Sequence, residues 1–287
     1  MMNDCYFTTS DGVRLHYVTG GEGAPLILLT GYTGSTEDFT GNYAALAAQF
    51  QVICMDYRGL GRSETPQSGW HIERLAKDLE ELRVRLALET FYLAAHSMGN
   101  TVAWCYMELF GQQRIRGYVL YEESPCLLVD PSWSEAEQNS FLGKFRMPDP
   151  WSFPALPPDS RAVDARRAEF LSRLVREHLS RDWRDVVEAI RVPTIILMGE
   201  GSHFGAKELW DYLQNVIPGA RLEVVPTDQG GTHMIHRENP VAFNELHHHQ
   251  HCGDLDHGDG RRHSPGRKGR RASPQNGILK SKREKSA

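Results

Sequence analysis

Short apolar runs alternate with longer amphipathic stretches along most of the 287-residue chain. Six runs have the length and composition of buried strands, and they are Leu26–Leu29, Val52–Met55, Phe91–Ala95, Tyr118–Tyr121, Thr194–Met198 and Leu222–Val225. Helices are predicted over Tyr43–Phe50, Ile72–Leu86 and Asn100–Phe110. Before them, Tyr6–Val18 alternates around Asp11-Gly12, which is typical of a β-hairpin. Strands that alternate with helices indicate a mostly parallel sheet covered on both faces.

This alternation breaks between about residues 126 and 190. The first half of that stretch contains six prolines and five large aromatic residues, which are Pro131, Pro148, Pro150, Pro154, Pro157, Pro158, Trp133, Phe141, Phe145, Trp151 and Phe153. The second half begins with a charged segment, Arg161–Leu179, that is predicted to be helical. Because open α/β sheets bind ligands beyond the carboxyl ends of their strands, we interpret residues 126–190 as an inserted helical lid. The alternative is a peripheral helical subdomain that only packs on the sheet.

Composition divides the chain into an acidic body and a basic tail. Hydrophobic residues make up 40% and charged residues 24%, which is typical of a globular protein. Within the formal charge of −5, residues 247–287 hold ten Lys/Arg against four Asp/Glu, and residues 1–246 hold 22 against 33. The tail begins with a histidine run and has almost no apolar residues, so we expect it to be disordered. The predicted organisation is one domain over residues 1–246, followed by a tail over 247–287.

The same features restrict the partners that we expect. No aromatic residue interleaves with the basic clusters of the tail, so bases have no stacking platform and we expect no nucleic-acid partner. Low-complexity composition explains the histidine run as well as a metal site does. The chain has no apolar run of transmembrane length and no signal-peptide pattern at its start. Five cysteines without metal-like spacing indicate reduced thiols and a cytoplasmic protein.

A nucleophile-elbow pattern, Ala95-His96-Ser97-Met98-Gly99, lies between a predicted strand and a predicted helix. In this context the serine sits on a tight, strained turn, and the positions two residues to either side must be small. Ala95 stands in place of the usual first glycine, while Gly99 retains the second. The following helix N-terminus offers N–H groups and a dipole that favour negative charge. Ser97 is therefore the candidate nucleophile, and a purely structural serine is the alternative.

Together with three further segments, this motif resembles the α/β-hydrolase superfamily over roughly residues 5–246. Thr30-Gly31-Tyr32 stands where a His-Gly-X oxyanion segment usually follows the third strand. Residues 56–63 are similar to the D-x-R-G-x-G-x-S loop of the superfamily, and residues 231–240 resemble its catalytic-histidine segment. The four segments occur in the order of the superfamily. The resemblance implies an α/β fold with a mostly parallel, doubly wound sheet and an inserted helical lid.

The resemblance also implies roles for individual residues. It assigns the general base to His233, which follows a glycine turn just after the last predicted strand. His236 lies one turn further on and is expected to orient the loop, and His96 is expected to pack beside the nucleophile. The oxyanion hole would consist of the backbone N–H groups of Tyr32 and Met98. Neither donor depends on a side chain, so a threonine in place of the usual histidine before Gly31 does little harm.

The acid that should orient the histidine is less obvious. The superfamily usually carries an aspartate in a G-x-x-D pattern after the seventh strand, and Ser202 stands at that position here. In some members the acid instead follows the sixth strand, where this chain has two adjacent glutamates. Glu122 occupies the matching position and preserves the order serine, acid, histidine. Glu123 and Glu200 are the alternatives, and a degraded triad without any functional acid is the last.

These residues predict a small-molecule serine hydrolase of the carboxylesterase type. Esters, lactones, thioesters and carbon–carbon bonds next to a carbonyl all remain open as substrates, and some similar enzymes serve secondary metabolism. The aromatic residues of the predicted lid favour a fairly apolar substrate, and the chemistry requires no cofactor and no metal. A serine at the elbow argues against the dehalogenase and epoxide hydrolase branches, which use aspartate. The alternative is a non-catalytic ligand-binding relative, and the sequence leaves the oligomeric state open.

Overall fold

The sheet that the sequence predicts is present in a computed structural model of the chain, which describes residues 1–127, 160–204 and 206–245 with the single positions 134 and 136. Most of the proline-rich and aromatic half of the predicted lid lies outside the described residues. The predicted tail, residues 247–287, lies wholly outside them.

Eight strands form one sheet. They are β1 (Asn3–Thr8), β2 (Arg14–Gly20), β3 (Ala24–Leu29), β4 (Phe50–Met55), β5 (Phe91–His96), β6 (Ile115–Tyr121), β7 (Thr194–Gly199) and β8 (Arg221–Val225). The helices include α1 (Tyr43–Leu46), α2 (Ile72–Arg85), α3 (Met98–Phe110), α4 (Ser160–Ser180), α5 (Arg184–Glu188), α6 (Lys207–Val216) and α7 (Ile235–Glu238). The strand order is β1-β2-β4-β3-β5-β6-β7-β8. The β1–β2 hairpin and the β2–β4 pair are antiparallel and the remaining pairs are parallel, which confirms the predicted fold class.

Both faces of the sheet are buried because successive side chains of each central strand point to opposite sides. In β3, Ile27 and Leu29 face a large cluster that includes residues of α2, α3, α4 and α6. Leu26 and Leu28 face a second cluster, which includes Phe39 and residues of α1 and α7. Burial on both sides explains why the strand is a continuous apolar run rather than an alternating one.

Two predicted helices have different limits in the structure. The Tyr43–Phe50 stretch forms only the short α1, and Phe50 instead begins β4, where its backbone pairs with Ala24 of β3. Phe50 is fully buried in either case, so its hydrophobicity alone does not distinguish a helix from a strand. Helix α3 begins at Met98, directly after the elbow serine and two residues before the predicted start.

Helix α4 contains the charged segment for which a helix was predicted, and it packs against the loops at the carboxyl edge of the sheet. The Arg167 guanidinium donates to the carbonyl oxygen of Gly59 at 2.7 Å, and the Tyr32 hydroxyl donates to that of Leu171 at 3.2 Å. The Phe170 ring is buried against Gly59, where a side chain would collide with it. Among the described helices, none is both long and apolar enough to cross a membrane.

The loop after β4 is stabilised by buried charge. Arg58 and Asp78 are both fully buried, and the guanidinium donates to the two carboxylate oxygens at 2.6 and 2.7 Å. Asp11, at the tip of the β1–β2 hairpin, accepts from the other side of the same guanidinium at 2.9 Å. Arg58 therefore connects the β1–β2 hairpin and α2 to the loop after β4. The next residue of this loop, Gly59, is the one that contacts Phe170 of α4.

Replacing Asp78 by alanine leaves the buried Arg58 with a single carboxylate partner. We expect Asp78→Ala to lower the free energy of unfolding by about 3 kcal/mol, measured by urea denaturation. Asp211→Ala is the matched control, since Asp211 forms an exposed ion pair with Lys207 on α6, and such pairs contribute about 0–1 kcal/mol. Equal losses in the two variants would contradict a stabilising role for the buried pair.

Candidate active site

Ser97 occupies a strained turn between β5 and α3. Its backbone angles are φ 51° and ψ −130°, a region that non-glycine residues rarely adopt. The Ser97 N–H donates to the Tyr121 carbonyl at the end of β6 at 2.9 Å, and the Ser97 carbonyl accepts from the Asn100 N–H at 2.8 Å. These bonds hold the serine on top of the sheet, at the first turn of α3.

Close packing around this turn explains the small residues of the motif. A Cβ atom on Gly99 would lie 2.8 Å from the carbonyl oxygen of Thr30, so α3 passes directly against the end of β3. A Cβ atom on Gly31 would lie 3.1 Å from Cβ of Ser97. The loop after β3 is therefore in contact with the serine. The two predicted oxyanion donors are next to this contact, since Tyr32 directly follows Gly31 and Met98 directly follows Ser97.

The imidazole of His233 lies between Ser97 and Glu122. Its Nε2 atom is 3.1 Å from Oγ of Ser97, and its Nδ1 atom is 3.1 Å from Oε2 of Glu122. His233 stands on the loop after β8, where Gly231 lies so close to β8 that a Cβ atom would be 1.8 Å from the carbonyl oxygen of Val225. Only glycine fits there, and this close approach directs the loop back over the sheet.

The Glu122 carboxylate is fully buried and accepts hydrogen bonds on both oxygens. Oε1 accepts from the Gly199 N–H, and Oε2 accepts from the Ser202 hydroxyl as well as facing His233. Its backbone φ is 56°, so it is a second strained residue at this edge of the sheet. The other two candidate acids lie elsewhere. Glu123 faces α4, and Glu200 accepts from the Thr227 N–H at 3.0 Å.

Ser202 has a contact that sequence reasoning missed. The sequence marked it as the position of an absent aspartate, but its hydroxyl donates to Glu122 and accepts from the Phe204 N–H at 3.1 Å. A donor at this position stabilises a carboxylate that arrives from the neighbouring strand. Ser202 therefore supports Glu122 from the place where an acid would otherwise stand.

Three aromatic side chains lie behind His233. The His96 Nε2–H donates to the His233 carbonyl at 2.8 Å, and the Tyr121 hydroxyl lies 2.9 Å from Nδ1 of His236. Burial lowers the pKa of His96 well below its usual value, with a further contribution from His233 and His236. Burial also lowers the pKa of His236 to about 3, helped by the charge of Arg237. Both rings are therefore neutral at pH 7. The His96 ring contacts the His233 backbone directly, and the His236 ring does so through the Tyr121 hydroxyl, which lies 3.3 Å from the His233 carbonyl oxygen.

Ser97 and His233 open into a cavity of about 410 Å³. Its lining residues are Gly31, Tyr32, Thr33, Gly34, Asp38, His96, Ser97, Leu127, Val175, His178, Leu179, His203, Phe204, His233, Met234 and Arg237. Leu127, Val175 and Leu179 contribute apolar surface to this lining, and the Asp38–Arg237 ion pair contributes charged surface.

Two histidines of this lining were not predicted. The His203 ring contacts His233 in a tilted arrangement, with centroids 4.4 Å apart and an interplanar angle of 42°, and His178 comes from α4. Neither belongs to a recognisable motif, because only the fold brings them to the cavity. Among the described residues, no group of three or more His, Cys, Asp or Glu side chains is arranged to hold a metal ion.

Comparison with known proteins identifies relatives of this chain. Residues 24–162 match a family model described as the alpha/beta hydrolase fold. The soluble epoxide hydrolase of Corynebacterium sp. (strain C12) is 42% identical over 94 residues, and this match spans 33% of each chain. The AB hydrolase superfamily protein YisY of Bacillus subtilis (strain 168) is 25% identical over 262 residues, which are 84% of this chain and 96% of that protein.

Solved structures extend the likeness to the fold. The esterase EaEST from Exiguobacterium antarcticum matches with a TM-score of 0.70 and 20% sequence identity, over 87% of this chain and all of that one. At 20% identity this match shows similarity of fold alone. The sheet order and the elbow agree with the family match and support one assignment: residues 24–162 belong to the α/β-hydrolase superfamily, and the chain has its fold.

Proposed function

We propose that this protein is a serine hydrolase that cleaves an ester, a lactone or a related small carbonyl compound. The observation that carries the proposal is the continuous line of contacts from the serine to a buried carboxylate. Ser97 Oγ to His233 Nε2 and His233 Nδ1 to Glu122 Oε2 are each 3.1 Å. Such a line allows an imidazole to remove a hydroxyl proton while the carboxylate stabilises the resulting imidazolium.

In the proposed mechanism, Ser97 attacks the substrate carbonyl while His233 takes its proton. The tetrahedral oxyanion is stabilised by the backbone N–H groups of Tyr32 and Met98, and the dipole of α3 contributes in the same direction. His233 then protonates the leaving group, which departs and leaves an acyl group on Ser97. Water, activated by His233, cleaves this acyl-enzyme and restores the serine.

The cavity supports a substrate that is partly apolar. Leu127, Val175 and Leu179 offer an apolar wall, and the Asp38–Arg237 pair borders another side. The names of the relatives indicate two chemistries, epoxide hydrolysis and ester hydrolysis. Epoxide hydrolases of the superfamily use an aspartate at the elbow, so Ser97 favours the esterase alternative and a carboxylesterase-type reaction.

The cellular location is part of the same proposal. Cys54 and Cys105 are buried free thiols, and Cys5 is a half-buried one. Reduced cysteines are typical of a reducing compartment, so we propose a cytoplasmic enzyme with a small-molecule substrate.

The roles of the nucleophile and base are tested with Ser97→Ala and His233→Ala. Each variant is expected to lower kcat on p-nitrophenyl acetate by about 10⁴-fold or more, because removing either group disables the proton transfer. Ser97→Ala should also abolish labelling by a fluorophosphonate probe. If the wild-type protein took up no probe and hydrolysed no ester, the alternative of a non-catalytic ligand-binding protein would replace this proposal.

The identity of the acid is tested by comparing Glu122→Gln with Glu200→Gln. We expect Glu122→Gln to lower kcat by about 10³–10⁴-fold, since a neutral amide does not stabilise the imidazolium. Glu200→Gln should stay within about twofold of the wild type, because its carboxylate caps the loop at Thr227 and does not approach His233. Full turnover by Glu122→Gln would show that the acid assignment is wrong.

Moving the acidic group from position 122, after β6, to position 202, after β7, tests whether a carboxylate beside His233 is what matters. Ser202 already contacts the Glu122 oxygen that faces His233, so an aspartate there can approach the imidazole once Glu122 is truncated. We expect Glu122→Ala/Ser202→Asp to recover at least about tenfold in kcat over Glu122→Ala alone. The isosteric control Glu122→Ala/Ser202→Asn should recover nothing. Equal activity of these two double variants would contradict the proposed electrostatic role.

A further inference from the structure

The side chains of the two adjacent glutamates after β6, Glu122 and Glu123, contact different histidines. Glu122 faces His233, whereas Oε2 of Glu123 lies 3.3 Å from Nε2 of His178 on α4. The other Glu123 oxygen, Oε1, accepts from the Ser124 N–H at 2.9 Å. Both carboxylates are fully buried. Glu123 therefore forms a second carboxylate–histidine pair beside the first.

His178 is fixed through both of its ring nitrogens. Besides the Nε2 contact with Glu123, its Nδ1 atom lies 2.9 Å from Oγ1 of Thr101. Thr101 stands one turn after Ser97 on α3, and Glu123 directly follows Glu122. The ring is therefore attached to the two elements that carry the nucleophile and the proposed acid. His178 also lines the cavity, and because Thr101 and Glu123 lie beside its two nitrogens, the ring carbon atoms are the ones left to contact a ligand there.

Because the Glu123 carboxylate is buried, the attachment of α4 is sensitive to any change in the His178–Glu123 pair. Among the described residues, Oε2 of Glu123 accepts no hydrogen bond, and its 3.3 Å ion-pair contact with Nε2 of His178 is its polar contact. A buried carboxylate without such a partner is strongly unfavourable. The position of α4 above the cavity is therefore coupled to the His178–Glu123 contact.

Helix α4 is also held by contacts that lie outside the cavity. Glu177, the preceding residue, accepts from the Ile72 N–H at 3.2 Å and pairs with Arg181, which also pairs with Glu73 of α2. Glu177 does not line the cavity, whereas His178 and Leu179 do. Of these two neighbouring tethers, His178 therefore faces the cavity and Glu177 does not.

We propose that His178, held by Glu123 and Thr101, is a positioning residue that fixes the α4 wall of the cavity and limits the length of the apolar group a substrate can carry. The selected group packs against Val175, His178 and Leu179, so it is a hydrocarbon group rather than a polar one. This inference rests on the proposed function, because it assigns substrate selection to the wall of the same site.

The test compares His178→Ala with Glu177→Ala on p-nitrophenyl esters from acetate to octanoate. In His178→Ala we expect KM for the wild type's preferred ester to rise about tenfold with kcat changing less than threefold, and the preference to move to longer chains. Glu177→Ala should keep the wild-type length profile. His178→Gln, whose amide can contact both Thr101 and Glu123, should restore the profile at least in part, and Glu123→Gln should resemble a milder His178→Ala.

Two results would overturn the inference. One is the same length profile in His178→Ala and Glu177→Ala, and the other is a His178→Gln profile no closer to the wild type than that of alanine. If the wild type hydrolyses no ester, the proposed function fails. Hydrogen exchange on the unliganded protein then still tests whether His178 attaches α4 to Glu123 and Thr101. Faster exchange of the amides of residues 174–180 in both His178→Ala and Glu123→Gln would support it, and unchanged exchange would overturn it.

Discussion

The carboxylate of Glu122 is fully buried, and groups from two different loops converge on it. The Gly199 N–H and the Ser202 hydroxyl come from the end of β7, and the His233 imidazole comes from the loop after β8. A carboxylate in this position requires all of these partners, because burial without them would be strongly unfavourable. The strained backbones of Ser97 and Glu122, the close approach at Gly231 and the order of the strands are all consistent with this requirement.

Much of this arrangement could be predicted because local sequence determines it. Parallel strands buried on both faces must be apolar runs, and a turn between strand and helix requires small residues such as Gly99 around its serine. Those patterns singled out Ser97 and the sheet that carries it, and the resemblance to the superfamily added His233. Glu122 could be named as a candidate because it matches the position of the acid after the sixth strand in some superfamily members, yet the sequence alone left Glu123 and Glu200 open. The choice depends on which side chain reaches His233, and that distance is a property of the folded chain.

The contacts that the sequence did not reveal join residues far apart in the chain. Ser202 donates to a residue 80 positions away, and His178 contacts residue 101 across 77 positions. Neither belongs to a motif, and a histidine on a charged helix is indistinguishable from a solvated one until the helix is placed. These contacts also explain why both glutamates after β6 are buried. One faces the proposed base and the other contacts the helix that lines the cavity, so we propose that two identical side chains support the chemistry and the shape of the site separately.

Trapping the reaction intermediate tests most directly whether Ser97 is the nucleophile. The wild-type protein would be quenched with acid during turnover of a p-nitrophenyl ester and then digested, and its peptides would be analysed by mass spectrometry. We expect an acyl group attached to Ser97 and to no other residue, in an amount that matches the initial burst of p-nitrophenol. Turnover that leaves Ser97 unmodified, or an acyl group on a different side chain that accounts for the burst, would contradict it.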